Sequence, residues 1–290
     1  SMNNITPKIH FAITIVVFIV ISTFTTKLSA QEPVVQWDQT IGTTSNDNLV
    51  QVNLTSDGGF ILGGYTSGGI SGDKTEANMG GTDMWVVKLD ALGNIQWQNS
   101  IGTSSSDNLV DIVQTVDGGF LLGCTSSTGI SGDKTEAAIG LSDFWIIKLN
   151  ASGVIMWQNT IGGTGNDNLT DIEPVPSGGF LLSGYSSSGI SGDKTEANIG
   201  LYDYWIVKIN PFGTIQWQHT IGGDNNDKLL QTVKSNSGNY VLAGQSLSGI
   251  SGNKTEAQIG TEDYWLVEID IDGNIIWQNT IGGPGYDVFE

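Results

Sequence analysis

Four copies of an acidic loop carry the carboxylates that are best placed to bind a cation. The string GDKTEA occurs with its aspartate at Asp73, Asp133 and Asp193, and the fourth copy has Asn253 at this position. Asp193 and Glu196 could hold calcium together with backbone carbonyls, but calcium requires about six to eight oxygen ligands. Two carboxylates in a loop fall short of that number, and the fourth copy lacks one of them. The pattern therefore predicts no metal site.

The same loop has the spacing of a helix cap. Asp193 precedes Glu196 by three residues, which is an aspartate-started form of the capping box that satisfies free N–H groups at a helix start. Ile190 and Ile199 flank the loop and could fix it to the rest of the unit. This spacing favours a short helical turn that joins two strands of a repeated scaffold.

A second polar pattern surrounds another repeated aspartate. It reads Asn46-Asp47-Asn48 in the first copy and Asn166-Asp167-Asn168 in the third. Aspartate and asparagine side chains bind their own backbone in turns. The spacing does not match the alternating oxygens and final glutamate of an EF-hand. We therefore expect a turn before a strand, with calcium between repeats as the alternative.

The residue types needed for catalysis are sparse. After Ala30 the chain has one histidine, His219, and its one cysteine is Cys124, which replaces glycine within a predicted strand. Nucleophilic catalysis by serine requires a base that is oriented by a third group. A quinone cofactor would need cationic contacts, and the chain contains no arginine. The positions that depart from the repeat form no recognisable catalytic set; they are Cys124, Pro174, Pro176, His219, Lys228 and Glu268. The sequence thus predicts no enzyme, no cofactor and no catalytic or cofactor-binding residue.

The aromatic residues could instead stack on sugars. All nine tryptophans recur at a step of 60 residues, in a series from Trp37 to Trp277 and a second series from Trp85 to Trp265. A large aromatic side chain at a fixed position in every repeat is typical of packing between elements. The tyrosines vary more between repeats and are expected to be better exposed; they are Tyr65, Tyr185, Tyr202, Tyr204 and Tyr264.

The elements that carry these residues are predicted to be strands. From Asp167 one unit reads as DNLTDIEPVP, a glycine turn, FLLSGYSS, the acidic loop, YWIVKIN, a second turn and TIQWQHTIG. Alternating valine, isoleucine and aromatic residues with tight glycine turns indicate four antiparallel strands. Tandem four-stranded units predict an all-β β-propeller, since the coils of a β-solenoid are usually much shorter. The complete units are residues 43–102, 103–162, 163–222 and 223–282.

The stretch GTDMWVVKLDALGNIQWQNSIGTSSSDNLVDI resembles a bacterial secreted β-propeller repeat family. Asp83, Lys88, Leu89, Asp90 and Gly93 match its first motif, and its second matches Gly162, Gly163 and Asp167. KLDALGNIQW is also similar to the tryptophan-docking repeat of quinoprotein propellers, in which a tryptophan packs on the next blade. The resemblance covers about residues 34–290 and implies a secreted propeller. It implies no single activity, because propellers serve many functions.

Composition limits the partners and the compartment. The net charge is −19, and all eleven cationic side chains are lysines. This excludes nucleic acid, which needs clustered positive charge. Residues 11–24 are apolar and follow Lys8, so residues 1–30 read as a signal peptide rather than a membrane anchor, and residues 31–290 as the propeller domain. No stable membrane insertion is expected after cleavage.

Repeat counting leaves extra strands at both ends. Residues 34–42 read as a lone fourth strand, and a first strand begins near Tyr286. We expect a longer chain in which about 45 further residues complete a fifth blade, or else four blades with a redundant strand.

The predicted function is a secreted, non-catalytic binding or scaffold module, placed outside the cell, on its surface or in the periplasm. Repeated loops would be presented to a protein or polysaccharide, and near-identical units favour a multivalent partner. The alternative is a multivalent lectin-like protein. A polysaccharide-acting enzyme with paired carboxylates is the third hypothesis.

Overall fold

The computed structural model describes residues 35–176 and 178–287. Within these residues the chain is all-β and forms four four-stranded antiparallel sheets without a helix. No helix long and apolar enough to cross a membrane occurs in this part of the chain. The predicted signal peptide, residues 1–30, lies outside the described residues.

Each sheet is formed by consecutive strands that keep their chain order in space. The first contains β1 (Asp47–Leu54), β2 (Phe60–Thr66), β3 (Asp83–Leu89) and β4 (Ile95–Ile101). The second contains β5 (Leu109–Gln114), β6 (Phe120–Ser126), β7 (Asp143–Leu149) and β8 (Ile155–Ile161). The third contains β9 (Asp167–Pro174), β10 (Phe180–Ser186), β11 (Asp203–Ile209) and β12 (Ile215–Ile221). The fourth contains β13 (Asp227–Lys234), β14 (Tyr240–Ser246), β15 (Asp263–Ile269) and β16 (Ile275–Ile281). The four predicted antiparallel strands per unit are confirmed.

The third strand of each unit shows why the sequence folds this way. In β11, Trp205 and Val207 point to one face and Tyr204 and Ile206 to the other, because side chains alternate along a strand. All four are fully buried. The following turn closes at Gly213, whose φ of 83° favours glycine. A side chain there would also collide with Trp157 of the preceding sheet.

The sheets pack face to face along the chain. Leu121, Phe144 and Ile146 of the second sheet share one core cluster with residues of the third, including Ile172. Similar clusters join the first sheet to the second and the third to the fourth. The first strands β1, β5, β9 and β13 contact each other in succession, whereas β1 does not contact β13. Closure of the sheets into a propeller therefore stays a prediction.

The two terminal sheets each keep one apolar face uncovered. In the first sheet Leu49 is 62% exposed, whereas the equivalent Leu109 of the second sheet is 3% exposed. A mainly apolar cavity of about 460 Å³ lies on that face, bordered by Leu62, Trp85 and Trp37. In the fourth sheet Ile281 is exposed, although its equivalent Ile221 is buried. The first and the fourth sheet therefore each have an apolar face that resembles the buried faces of the inner sheets.

The predicted lone fourth strand at residues 34–42 is only partly correct. From residue 35 onward this segment joins none of the four sheets. Trp37 nevertheless packs edge-on against Phe60, with ring centroids 5.7 Å apart, as Trp97 does against Phe120. The segment therefore makes the aromatic contact of a fourth strand without strand pairing.

The tryptophans between two sheets pack as predicted, whereas Trp37 and Trp277 of the first series are partly exposed. Trp145 is fully buried and donates its indole N–H to Gln158 at 2.9 Å. Trp97 of the other series lies over Gly153 of the next sheet and donates to the carbonyl of Ala151 at 3.0 Å. Cys124 is buried as expected, and burial raises the pKa of its thiol.

We expect the substitution Trp145→Ala to lower the free energy of unfolding by about 3–5 kcal/mol, because it opens a cavity between two sheets. Trp277→Ala should cost less than about 1 kcal/mol, because Trp277 is 40% exposed and packs on no further sheet among residues 35–287 that the structure describes. Urea unfolding of the two variants measures the difference. Equal losses would contradict the role of the sheet interface.

Candidate functional site: the loop end of the sheets

The aspartate of the acidic loop binds the connection through which the chain enters its unit from the preceding residues. The Asp73 carboxylate accepts a hydrogen bond from the Gly42 N–H at 3.0 Å, and the Asp73 N–H donates to the Gly42 carbonyl at 2.9 Å. Asp193 makes the same pair of contacts with Gly162. In the fourth unit Asn253 replaces aspartate and still accepts from Gly222 at 3.2 Å. The side-chain oxygen at this position thus accepts a hydrogen bond from a backbone N–H group.

The glutamate and lysine of the loop are also used within the fold. Glu196 accepts the Thr220 N–H at 2.6 Å, and Glu136 accepts the Thr160 N–H at 2.7 Å. Lys194 is fully buried with its ammonium 5.1 Å from the centre of the Trp205 ring. Burial lowers the pKa of Lys194 to about 8. These contacts anchor the loop against the sheet beneath it.

The predicted helical turn in this loop is wrong. Ser191 and Lys194 instead form an antiparallel bridge, and the left-handed Gly192, with a φ of 56°, lies between them. Asp193 and Glu196 bind backbone N–H groups 31 and 24 residues away rather than free N–H groups at a helix start. Among the described residues no group of three or more histidine, cysteine or acidic side chains could hold a metal ion.

The other repeated aspartate forms the turn that the sequence predicts. Asp107 accepts the N–H of Thr103 at 2.7 Å, and Asp167 accepts that of Gly163 at 2.7 Å. Asp107 also donates its own N–H to the Thr82 carbonyl of the preceding unit at 2.7 Å. Each unit start is therefore tied to the loop before it, which places the four loops in sequence along one end of the sheets.

One side chain in each loop has no packing role and projects into solvent. This is the isoleucine that precedes the Ser-Gly of the bridge, and its exposed fraction is nearly constant at 68–70%. The four residues are Ile70, Ile130, Ile190 and Ile250. The glycine before each isoleucine has open space around it. The loops therefore combine a fixed polar base with an apolar tip.

Two carboxyl groups that the sequence analysis did not identify lie on the first strands of two units. Asp111 of β5 accepts the Ile172 N–H of β9 at 3.1 Å, and Asp171 of β9 accepts the Thr232 N–H of β13 at 2.6 Å. Both border a cavity of about 660 Å³ that residues of all four first strands line. Burial, reinforced by Asp171, raises the pKa of Asp111 to about 7. The first and fourth units carry the uncharged residues Gln51 and Gln231 at this position. The carboxyl pair is therefore not part of the repeated sequence pattern.

Three departures from the repeat have local partners. His219, expected to be a simple exposed residue, has Nδ1 at 3.2 Å from Glu196 and Nε2 at 3.2 Å from the Asp272 carbonyl of the next unit. Glu268 accepts the Asn239 amide at 2.9 Å. Lys228 lies over the rings of Tyr185 and Tyr202. The predicted exposure of the tyrosines is wrong for Tyr204, which is fully buried.

Comparison with known proteins gives no matching protein family and no matching curated protein.

Replacing Asp193 by asparagine should change the free energy of unfolding by less than about 0.5 kcal/mol, because Asn253 makes the same bond in the fourth unit. Burial raises the pKa of Asp193, so a neutral side chain also removes the cost of a buried charge. Asp193→Ala should cost about 1–3 kcal/mol, because the Gly162 N–H loses its acceptor. Chemical unfolding tests both. A melting midpoint raised by millimolar calcium in the native chain, but not in Asp193→Asn, would contradict the backbone role.

Stability should also fall as the pH rises from 5 to 8. The pKa of Asp111 is raised from an ordinary value of 3.8 to about 7. The contribution of the Asp111 carboxyl group to the free energy of unfolding is therefore fully present below its ordinary pKa and is lost as the pH rises through its folded-state pKa. Between pH 5 and pH 8 this loss is about 2 kcal/mol. Urea unfolding across the range should show a weaker pH dependence in Asp111→Asn. An unchanged slope in that variant would contradict the assignment.

Proposed function

We propose that this chain is an exported, non-catalytic binding module of the β-propeller type, which presents its loop tips to a protein partner. The propeller arrangement is supported by the successive contacts of β1, β5, β9 and β13 around a shared cavity. Export is supported by the apolar segment at residues 11–24. The net charge of −19 favours partners other than nucleic acids.

The observation that carries the proposal is the equal exposure of four isoleucines at one repeat position. The polar residues of each loop have structural partners, whereas the isoleucine contacts solvent. Exposed single apolar residues are common on proteins. Four of them at equivalent tips of one end form a periodic pattern, and such a pattern gains affinity when it binds several equivalent contacts at once.

The side-chain chemistry favours a protein partner over a sugar. An isoleucine side chain buries apolar area but offers no hydrogen bond and no ring face for a sugar. It fits an apolar pocket or a neighbouring aliphatic side chain, with about 1.5–3 kcal/mol for complete burial. The partner would therefore be a protein with repeated apolar contact points.

A second candidate function is carbohydrate binding at one junction between units. It is favoured by Tyr185 and Tyr202, whose rings lie 5.5 Å apart between the third and fourth sheets. Tyrosine combines an apolar ring with a hydroxyl group that hydrogen-bonds. This alternative does not involve the isoleucines.

The first proposal is tested by selecting a displayed library of short peptides on the mature chain from Gln31. Selected peptides should contain apolar residues and bind at least tenfold more weakly to a variant with serine at Ile70, Ile130, Ile190 and Ile250, since each contact is worth about 1 kcal/mol or more. The fold should persist, because exposed substitutions change stability little. Single substitutions should each cause a smaller loss.

The matched control replaces two exposed apolar residues at the opposite end of the sheets, Leu92→Ser and Phe212→Ser. This variant should retain peptide binding. Peptides that bind the fourfold serine variant as well as the native chain would refute the proposed surface.

A further inference from the structure

Three side chains meet at the junction of the third and fourth sheets. Tyr185 is near the end of β10, Tyr202 directly precedes β11, and Lys228 is the second residue of β13. The tyrosine rings are nearly perpendicular, at 81°, with centroids 5.5 Å apart. The Lys228 ammonium is 5.6 Å from the Tyr185 ring centre and 5.5 Å from that of Tyr202. We call these three residues the Tyr–Tyr–Lys cluster.

The fold does not require this cluster. The equivalent positions at the junction of the second and third sheets are Thr125, Ser142 and Asn168. At the junction of the first and second sheets they are Tyr65, Thr82 and Asn108, where the Thr82 hydroxyl bonds the Asn108 side chain at 2.6 Å. The first and second strands pair antiparallel in all of these units, although in the second unit the pairing begins at Leu109. Two departures from the repeat, Tyr202 and Lys228, therefore meet beside Tyr185 at this junction, and the other junctions fold without them.

The charge on Lys228 lacks an acceptor. Within residues 35–176 and 178–287 its ammonium has no hydrogen bond and no ion pair. By contrast Lys88 pairs with Asp57 at 2.9 Å and Lys148 with Asp117 at 3.0 Å. The two rings attract the cation, but a ring face does not replace the acceptors that an ammonium group's three N–H donors require. The cluster thus offers a half-buried cation for an external anion.

The hydroxyl groups add neutral donors beside this cation. The Tyr202 hydroxyl accepts the Asn166 amide at 3.4 Å, which leaves its O–H to donate. An ammonium group, phenol groups and ring edges together match a ligand with one anionic group and several hydroxyls.

We propose that the Tyr–Tyr–Lys cluster binds one acidic sugar residue, with its carboxylate on Lys228 and its hydroxyls on the two tyrosines. The net charge of −19 repels highly charged polyanions over long range, so the site suits an isolated acidic unit in an otherwise neutral glycan. The inference rests on the carbohydrate-binding alternative and uses none of the exposed isoleucines.

The test is titration of the mature chain from Gln31 with a glucuronate-containing disaccharide, followed by calorimetry and by saturation-transfer NMR. Cellobiose is the neutral control. Saturable binding at one site, with a Kd on the order of 1 mM, is expected for the acidic sugar, and cellobiose should bind at least tenfold more weakly. Absence of saturable binding by the acidic disaccharide, or equal binding of both sugars, would overturn the proposal.

The repeat itself supplies variants that preserve the fold. The triple variant Y185T/Y202S/K228N carries the residues of the preceding junction and should lose at least tenfold in affinity. The reverse graft T125Y/S142Y/N168K should create a second site and raise the stoichiometry from one to two. Unchanged binding by the triple variant would refute the site.

The fourfold serine variant of the loop isoleucines separates the two proposals. It should bind the acidic disaccharide with unchanged affinity, because the Tyr–Tyr–Lys cluster is intact. Loss of sugar binding in that variant would contradict an independent site. Loss of peptide binding in the same variant, with sugar binding intact, supports two separate surfaces.

Discussion

The structure depends on the fact that each sheet is apolar on both faces. Trp145 and Ile147 of β7 pack towards the first sheet, while Phe144 and Ile146 pack towards the third. A four-stranded sheet of this kind cannot be stable alone, because too much apolar area would face water. Stability therefore depends on having a neighbour on each side. The polar loops, the buried lysines and the aspartate turns then hold the neighbours in register.

Sequence periodicity identified all four strands of every complete unit, because alternation and turn glycines are local signals. It failed for the acidic loop. The Asp193–Glu196 spacing is that of a helix cap, yet both carboxylates bind N–H groups more than 20 residues away. Such long-range contacts leave no trace in local spacing. They could be inferred only after the order of the sheets is known.

The candidate sites were partly visible in the sequence. Lys228 stood out as a departure from the repeat, and the tyrosines stood out as variable. That these side chains contact each other could be seen only in the structure, because they lie on or next to β10, β11 and β13 of two different units. The isoleucine tips could not be recognised in the sequence, because they are part of the regular repeat and do not depart from it. Ile190 looks like a residue that fixes the loop to its sheet, and only its exposure shows that the polar residues do this instead.

The identical register of the units has a genetic consequence. Adjacent units share 60-residue stretches without an insertion, so recombination between neighbouring copies would add or delete whole units. Each product would keep matching faces, because the sheet that follows any deletion resembles the one removed. The number of units can therefore change in a single event, whereas a shift of one residue within a strand would turn the rest of that strand's side chains to the opposite face.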